Sequence, residues 1–170
     1  MLVGASGAQL APELEVERWF GAARPLSTLR GKVVVVHAFQ MLCPGCVLHG
    51  VPQAARIHAH FAGSDVVVLG LHTVFEHHAA MTPTSLEAFL SEFRVPFPVA
   101  VDAPSERSIP RTMHRYGLRG TPSLLLIDRE GRLRANVFGR PEDLAVGAAI
   151  AQLLSEEAGC DADGCAIGPV

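Results

Sequence analysis

The chain has 170 residues and a mass of 18.1 kDa, which is the size of one globular domain. Apolar residues make up 49% of it and charged residues 18%, so the chain can bury a sizeable core and does not have a disordered composition. The net charge of −3 gives no general attraction to nucleic acid or to an anionic membrane, and no apolar run reaches the roughly 18 to 20 residues of a membrane-spanning helix.

The first half of the chain predicts alternating strands and helices. Two runs, 33–39 and 66–71, are continuously apolar and rich in β-branched residues, which is typical of strands buried on both faces. A helical pattern follows each run, over 47–63 after the first and over 84–93 after the second. This order is typical of parallel strands joined by crossover helices.

The second half predicts a short strand, a hairpin and a last helix. Residues 97–101 form a short strand between prolines, and 123–127 and 132–138 flank a turn sequence and predict an antiparallel hairpin. Pro141 opens a helix that runs to about Glu156, with acidic residues at the positive end of its dipole. The whole order predicts an α/β sandwich, in which a central mixed sheet has helices on both faces and an antiparallel edge hairpin.

The predicted division is a lead-in over 1–18, one domain over 19–156 and a polar tail over 157–170. Residues 1–10 lack the basic start and the long apolar stretch of a secretory signal, so the cytoplasm is the expected compartment. An exported location is the alternative if a signal segment has been removed. In a reducing cytoplasm, two neighbouring cysteines are more often catalytic or metal-binding than a permanent disulfide.

The four cysteines form two close pairs, Cys43 with Cys46 and Cys160 with Cys165. Cys43 lies between a buried strand and a helix, where free backbone N–H groups and the helix dipole favour a thiolate. Cys46 lies one helical turn further on, close enough to attack a mixed disulfide formed by Cys43. This position favours redox exchange over the two alternatives, a zinc knuckle or a static disulfide.

Three stretches together resemble the TlpA-like branch of the thioredoxin superfamily and the related redoxin domains: residues 29–36, the Cys43–Cys46 pair, and residues 116–128 with their Gly-Thr-Pro-Ser sequence. The resemblance extends from about Trp19 to Leu154. It implies a thioredoxin-like three-layer sandwich and the activity of a thiol–disulfide oxidoreductase. It also implies a cis bond between Thr121 and Pro122, with Pro122 facing the cysteines and the Thr121 backbone pairing with an incoming substrate strand.

Several positions depart from the family pattern. Leu42 stands where the family usually has tryptophan, Gln40 and Met41 replace other typical residues, and the dipeptide between the cysteines is Pro-Gly rather than Gly-Pro. His37 occupies the position of a buried acid in thioredoxins, and Pro52 lies one residue further from the second cysteine than is common. These departures leave the redox potential, the direction of electron flow and the partner open.

Two interpretations of His37 remain at this point. With a pKa near neutrality, the imidazole could shuttle a proton to and from Cys46. The alternative is a buried neutral histidine whose ring nitrogens are satisfied by backbone hydrogen bonds. The second interpretation is favoured, and the exchange rate and pH profile of a His37→Ala enzyme would distinguish the two.

Two further groups could bind metal or take part in exchange. His72, Glu76, His77 and His78 follow the second buried strand, but adjacent histidines in a helix point about 100° apart, so a polar loop is favoured over a metal site. The tail pair of Cys160 and Cys165 is either a second redox pair, a local disulfide or a zinc ligand set with the first pair.

The expected function is thiol–disulfide exchange, with Cys43 attacking, Cys46 resolving, and Thr121 and Pro122 positioning the substrate. The expected partners are a disulfide-bearing protein or small thiol and an upstream reductase or oxidant, with no cofactor, metal or nucleic acid. A peroxiredoxin-type peroxidase is disfavoured because Gln40 stands where that class needs threonine or serine. A non-catalytic redox or metal sensor is the alternative from a different functional class.

Overall fold

A mixed sheet of six strands lies at the centre of the structure, a computed structural model that describes residues 2–3 and 9–156. The strands are β1 (Val16–Phe20), β2 (Val33–Phe39), β3 (Val66–His72), β4 (Val99–Asp102), β5 (Ser123–Ile127) and β6 (Leu133–Phe138). The helices are α1 (Val51–His60), α2 (Pro83–Glu92), α3 (Arg111–Arg115) and α4 (Asp143–Ser155). A 3-10 turn spans Leu26–Leu29, and a π-helical turn spans Cys46–Gly50.

The strands lie side by side in the order β1-β4-β3-β2-β5-β6. The three central strands β4, β3 and β2 are parallel. At one edge β1 pairs antiparallel with β4, and at the other edge β5 and β6 form an antiparallel hairpin in which β5 pairs with β2. The predicted α/β architecture, with a mixed sheet and an antiparallel edge hairpin, is confirmed.

Strand β2 shows how the two faces of the sheet are covered. All seven of its residues are buried, and successive side chains point to opposite faces because the strand is pleated. Val33 and Val35 belong to the core that packs beneath α1, α2 and α4. Val34 and Val36 belong to the core on the other face, beneath α3 and the 3-10 turn. Burial on both faces explains why this run is continuously apolar in the sequence.

Two elements lie outside the predicted order. Strand β1 begins at Val16, inside the segment predicted as a lead-in, and Leu10 forms a further bridge to Arg132. As an edge strand that is only half-buried, β1 lacks a continuous apolar run. Helix α3 has five residues, too few for a helical period to be visible in the sequence. The sheet therefore begins earlier in the chain than the pattern indicates.

The helical segment that follows Cys43 contains one wide turn. In the π-helical turn the backbone N–H of Val51 donates to the carbonyl of Cys46, five residues back rather than four. Pro52 stands two residues after Gly50, in the first turn of α1, where a missing N–H costs least. The extra residue in the turn accounts for the unusually long spacing between Cys46 and Pro52.

A buried ion pair holds the end of α4. Arg134 of β6 lies with Nη1 3.2 Å from Asp128 Oδ2 and with Nη2 3.1 Å from Glu156 Oε1. Asp128 also accepts a hydrogen bond of 2.7 Å from the backbone N–H of Arg132. Because Asp128 directly follows β5, the ion pair fixes Glu156 at the edge of the sheet where β5 ends.

The longest helix among the described residues, α4, has 13 residues. In this part of the chain no helix is both long enough and apolar enough to cross a membrane.

Candidate active site

The topology brings Cys43 and Pro122 to the same edge of the sheet. Cys43 follows the carboxyl end of β2, the edge at which α/β sheets commonly place their sites. Pro122 precedes β5, which runs antiparallel to β2 with Ala38 opposite Ser123. The start of β5 therefore lies beside the end of β2, although the two segments are far apart in the sequence.

Cys43 is a half-buried free thiol with two polar neighbours. The backbone N–H of Cys46 lies 3.3 Å from Cys43 Sγ and donates to it. On its other side, the thiol donates to the carbonyl oxygen of Thr121 over 3.6 Å. An N–H at the start of a helix is a fixed donor that favours a thiolate, so the geometry suits a nucleophile.

Cys46 is fully buried and is also a free thiol. Burial, reinforced by its hydrogen bond with Cys43, raises the pKa of Cys46 to about 12. Its thiol therefore stays protonated at neutral pH. Cys43, by contrast, is only half-buried. The two cysteines thus differ in accessibility, as attacking and resolving thiols do.

Pro122 packs over the turn that holds the cysteines. A Cβ added to Gly45 would lie 3.4 Å from Pro122 Cδ, and one added to Gly50 would lie 3.2 Å from Pro122 Cβ. The peptide bond between Thr121 and Pro122 is cis. The proline ring therefore lies against both ends of the helical segment that begins at the cysteine pair.

His37 lies on the α1 side of β2, stacked on Phe39 with 5.8 Å between the ring centroids. The ring is buried, and among the described residues Nε2 has no hydrogen-bond partner. The prediction of a histidine satisfied by backbone hydrogen bonds is therefore wrong for this nitrogen. Burial lowers the pKa of His37 to about 4, so the imidazole is neutral at pH 7.

Gly50 makes room for this histidine, and its replacement with alanine is expected to destabilise the fold by about 1 to 3 kcal/mol. A Cβ at Gly50 would lie 2.3 Å from Cε1 and 2.5 Å from Nε2 of His37, so the ring or the helix must shift. Urea unfolding at pH 7 measures the change. Gly147→Ala in α4 is the matched control, since its Cβ would meet nothing within 4 Å. Equal stability of the two variants would show that the His37–Gly50 contact is not tight.

Two side chains brace the loop that leads to Cys43. Gln40 is buried, donates to Glu76 over 3.2 Å and accepts the backbone N–H of Phe75 over 3.1 Å. His72 accepts the backbone N–H of Met41 over 3.3 Å, and burial lowers the pKa of His72 to about 4. None of these three hydrogen bonds is visible in the sequence, because each joins residues more than 30 positions apart.

The histidines after β3 do not come together. His72 is buried and faces the loop before Cys43, while His77 and His78 are exposed. Within the described residues, no three histidine, cysteine or acidic side chains form a group that could hold a metal ion. The tail pair of Cys160 and Cys165 lies outside the described residues.

Comparison with known proteins gives a consistent set of relatives. A family model described as the AhpC/TSA family matches residues 8–136. The crystal structure of the thioredoxin-like superfamily protein SPOA0173 is 58% identical, covers 89% of this chain and 100% of its own, and has a TM-score of 0.87. A thiol-disulfide isomerase from Corynebacterium glutamicum is 52% identical, covers 89% of this chain and 99% of its own, and has a TM-score of 0.85.

A more distant structure shows the fold alone. The exposed lipoprotein thioredoxin of Streptococcus pneumoniae is 21% identical, covers 82% of this chain and 97% of its own, and has a TM-score of 0.63. No curated protein matches the chain. The thioredoxin-like fold that the sequence motifs imply is confirmed by these structures together.

Proposed function

Since the chain belongs to the AhpC/TSA family and is a thiol–disulfide oxidoreductase of thioredoxin-like fold, we propose that Cys43 and Cys46 carry out its exchange reaction. The observation that supports this most directly is the asymmetry of the pair. Cys43 is accessible and accepts an N–H bond from Cys46, whereas the Cys46 thiol is buried and protonated. The substrate is a disulfide carried by a protein or by a small thiol.

Exchange proceeds in two displacements at sulfur. The thiolate of Cys43 attacks one sulfur of the substrate disulfide, the S–S bond breaks, and the other substrate sulfur leaves as a thiolate that takes a proton from solvent. Cys46 then loses its proton and attacks Cys43 Sγ, which forms the Cys43–Cys46 disulfide and releases the second substrate thiolate. The substrate gains two electrons and the protein dithiol loses two. A reductase restores the dithiol, and an oxidant drives the same steps in reverse.

Thr121 and Pro122 are proposed to position the substrate. The Thr121 carbonyl lies 3.6 Å from Cys43 Sγ, so a chain that pairs with the Thr121 backbone would bring its disulfide to this sulfur. Pro122 supports that arrangement by packing against Gly45, between the two cysteines.

His37 is better suited to holding the helix than to accepting a proton from Cys46. The pKa of His37 is about 4 and that of Cys46 is about 12. Each unit of difference costs about 1.4 kcal/mol in a proton transfer, so direct transfer between them is strongly uphill. The contact of its ring with Gly50 instead fixes the segment four residues beyond Cys46.

A peroxidase reaction is not favoured by the geometry. The position three residues before Cys43 holds Gln40, whose amide is engaged by Glu76 and by the backbone of Phe75. It does not offer a hydroxyl to a peroxide beside the sulfur. A non-catalytic sensor differs from the proposed function in having no turnover.

The test is reduction of insulin disulfides with dithiothreitol as the electron source. Wild type is expected to turn over, and Cys43→Ser is expected to lose at least about a thousandfold in rate, because the attacking atom is gone. Zinc content and peroxide consumption are measured in parallel. A wild-type protein that binds stoichiometric zinc without turnover would point to a sensor, and rapid peroxide consumption would point to a peroxidase.

A further inference from the structure

An aromatic side chain lies at the edge of the proposed site. Phe138, the last residue of β6, pairs with Ser123 and is 50% exposed. The backbone N–H of the next residue, Gly139, donates to the carbonyl of Pro122 over 2.8 Å. Phe138 is therefore tied to the same loop whose Thr121 carbonyl contacts Cys43.

The ring of Phe138 lies directly on the backbone before this loop. Gly120 has a φ of 154°, and a Cβ at this position would lie 2.9 Å from Phe138 Cε2. Only a residue without a side chain allows the ring to approach so closely. On the same ring, the guanidinium carbon of Arg119 lies 5.8 Å from the centroid, within the range of a cation–π contact.

Arg119 carries a charge that no carboxylate neutralises among residues 9–156, in contrast to Arg111 and Arg115, which both pair with Glu15. It is exposed and stands two residues before Thr121, so its Cα lies within about 8 Å of the Thr121 Cα. The guanidinium is thus an available cation on the segment that leads into the loop whose Thr121 carbonyl contacts Cys43.

We infer that Arg119 and Phe138 form a recognition platform for a carboxylate next to the substrate disulfide. The guanidinium pairs with the carboxylate, and Phe138 acts as a positioning residue that holds the guanidinium by its ring face. The inference rests on the proposed function and adds a substrate class to it. The carboxylate comes either from an acidic side chain of a peptide or from a small thiol such as glutathione.

The test compares disulfide peptides that differ only in one residue near the cysteine, which is glutamate, glutamine or lysine. For wild type, kcat/KM is expected to be about three- to tenfold higher for the glutamate peptide than for the glutamine peptide, mainly through KM. Arg119→Gln is expected to bring this ratio to about one, and Arg119→Glu to favour the lysine peptide. Phe138→Leu is expected to reduce the ratio in part, because the guanidinium loses its support.

The control is Arg94→Gln, an exposed arginine that precedes β4 and so lies at the opposite edge of the sheet. It is expected to keep the wild-type ratio. A second arm compares oxidised glutathione with its fully esterified form. If Arg119→Gln removes the carboxylate preference among the peptides but not between the two glutathione forms, the substrate is a protein. If it removes the preference only between the glutathione forms, the substrate is a small thiol.

Two outcomes overturn the inference in different ways. If wild type reduces all the substrates but shows no preference for a carboxylate, or if Arg119→Gln keeps the preference, the platform is wrong and the proposed function stands. If wild type reduces none of them, the proposed function fails and the inference fails with it.

Discussion

Replacing Cys46 with serine is expected to stop exchange after its first half and to leave the substrate attached to Cys43. Serine is nearly the size of cysteine, so the buried site is preserved, but a hydroxyl cannot form the second disulfide. Steady-state turnover should fall at least about a hundredfold. Mass spectrometry under non-reducing conditions should find one substrate thiol added per chain, at Cys43.

The matching control is Cys43→Ser, which is expected to form no adduct because Cys46 is fully buried and its thiol is protonated. An adduct at Cys46 in that variant would reverse the proposed roles of the two cysteines. Full turnover by Cys46→Ser would mean that another thiol resolves the intermediate, and the same experiment with Cys160 and Cys165 replaced would identify it.

Acid is expected to destabilise the protein between about pH 6.5 and pH 4 through its two buried histidines. Burial lowers the pKa of both His37 and His72 from 6.5 to about 4, so each is neutral when folded. As the pH falls, the two histidines are protonated in the unfolded chain before they are protonated in the folded protein. Their contribution to stability is therefore complete above pH 6.5 and is lost as the pH approaches 4. The loss is about 3 kcal/mol for each histidine.

Two carboxyl groups also make the free energy of unfolding depend on pH. One acts in the opposite direction to the histidines, and the other acts mainly at lower pH. Burial raises the pKa of Asp102, so this carboxyl favours the folded state as the pH falls. The pKa of Glu156 is lowered from 4.5 by its hydrogen bond with Arg134, so its contribution is complete above that pH and is lost on further acidification, from the low end of the range in which the histidines titrate.

Urea unfolding from pH 4.5 to pH 7 measures this dependence. His37→Gln and His72→Gln are each expected to remove about half of it, and His49→Gln, at an exposed position, is expected to leave it unchanged. An NMR titration of the imidazoles checks the same pKa values without unfolding the protein. Ordinary histidine pKa values, or an unchanged dependence of stability on pH in both buried variants, would contradict the expectation.

The pH profile of exchange by His37→Gln also tests a proton shuttle, which predicts a changed profile.

The strands that could be predicted best from the sequence are strands whose residues are all buried. Strand β2 and strand β5 have the predicted bounds, because every residue in them is buried and nearly all are apolar. The edge strand β1 could not be found in this way, since its residues are exposed or only half-buried. Helix α3 is defined by backbone contacts of Thr112 and Met113 with Asp102, not by a pattern of its own.

The cysteine pair and the Thr121–Pro122 loop could be predicted because each is a short local motif. The features that surround them could not. Gly50 matters because an imidazole from a distant strand lies against it, and Gln40 matters because its amide bonds to a loop 35 residues further on. Such contacts depend on the tertiary fold, and neither residue type signals them in the sequence.

The ion pair between Arg134 and Glu156 also limits how far from an anchored residue the two tail cysteines can reach. Helix α4 starts near the active-site edge, where Gln53 bonds to Asp143, and runs for about 20 Å to its anchored end. Cys160 follows Glu156 by four residues, a backbone span of at most about 14 Å, which is shorter than the helix it would have to retrace. Cys165 has nine residues and about 31 Å. While the anchor holds, the four residues to Cys160 are too few to retrace α4, and only the nine residues to Cys165 span more than the length of the helix.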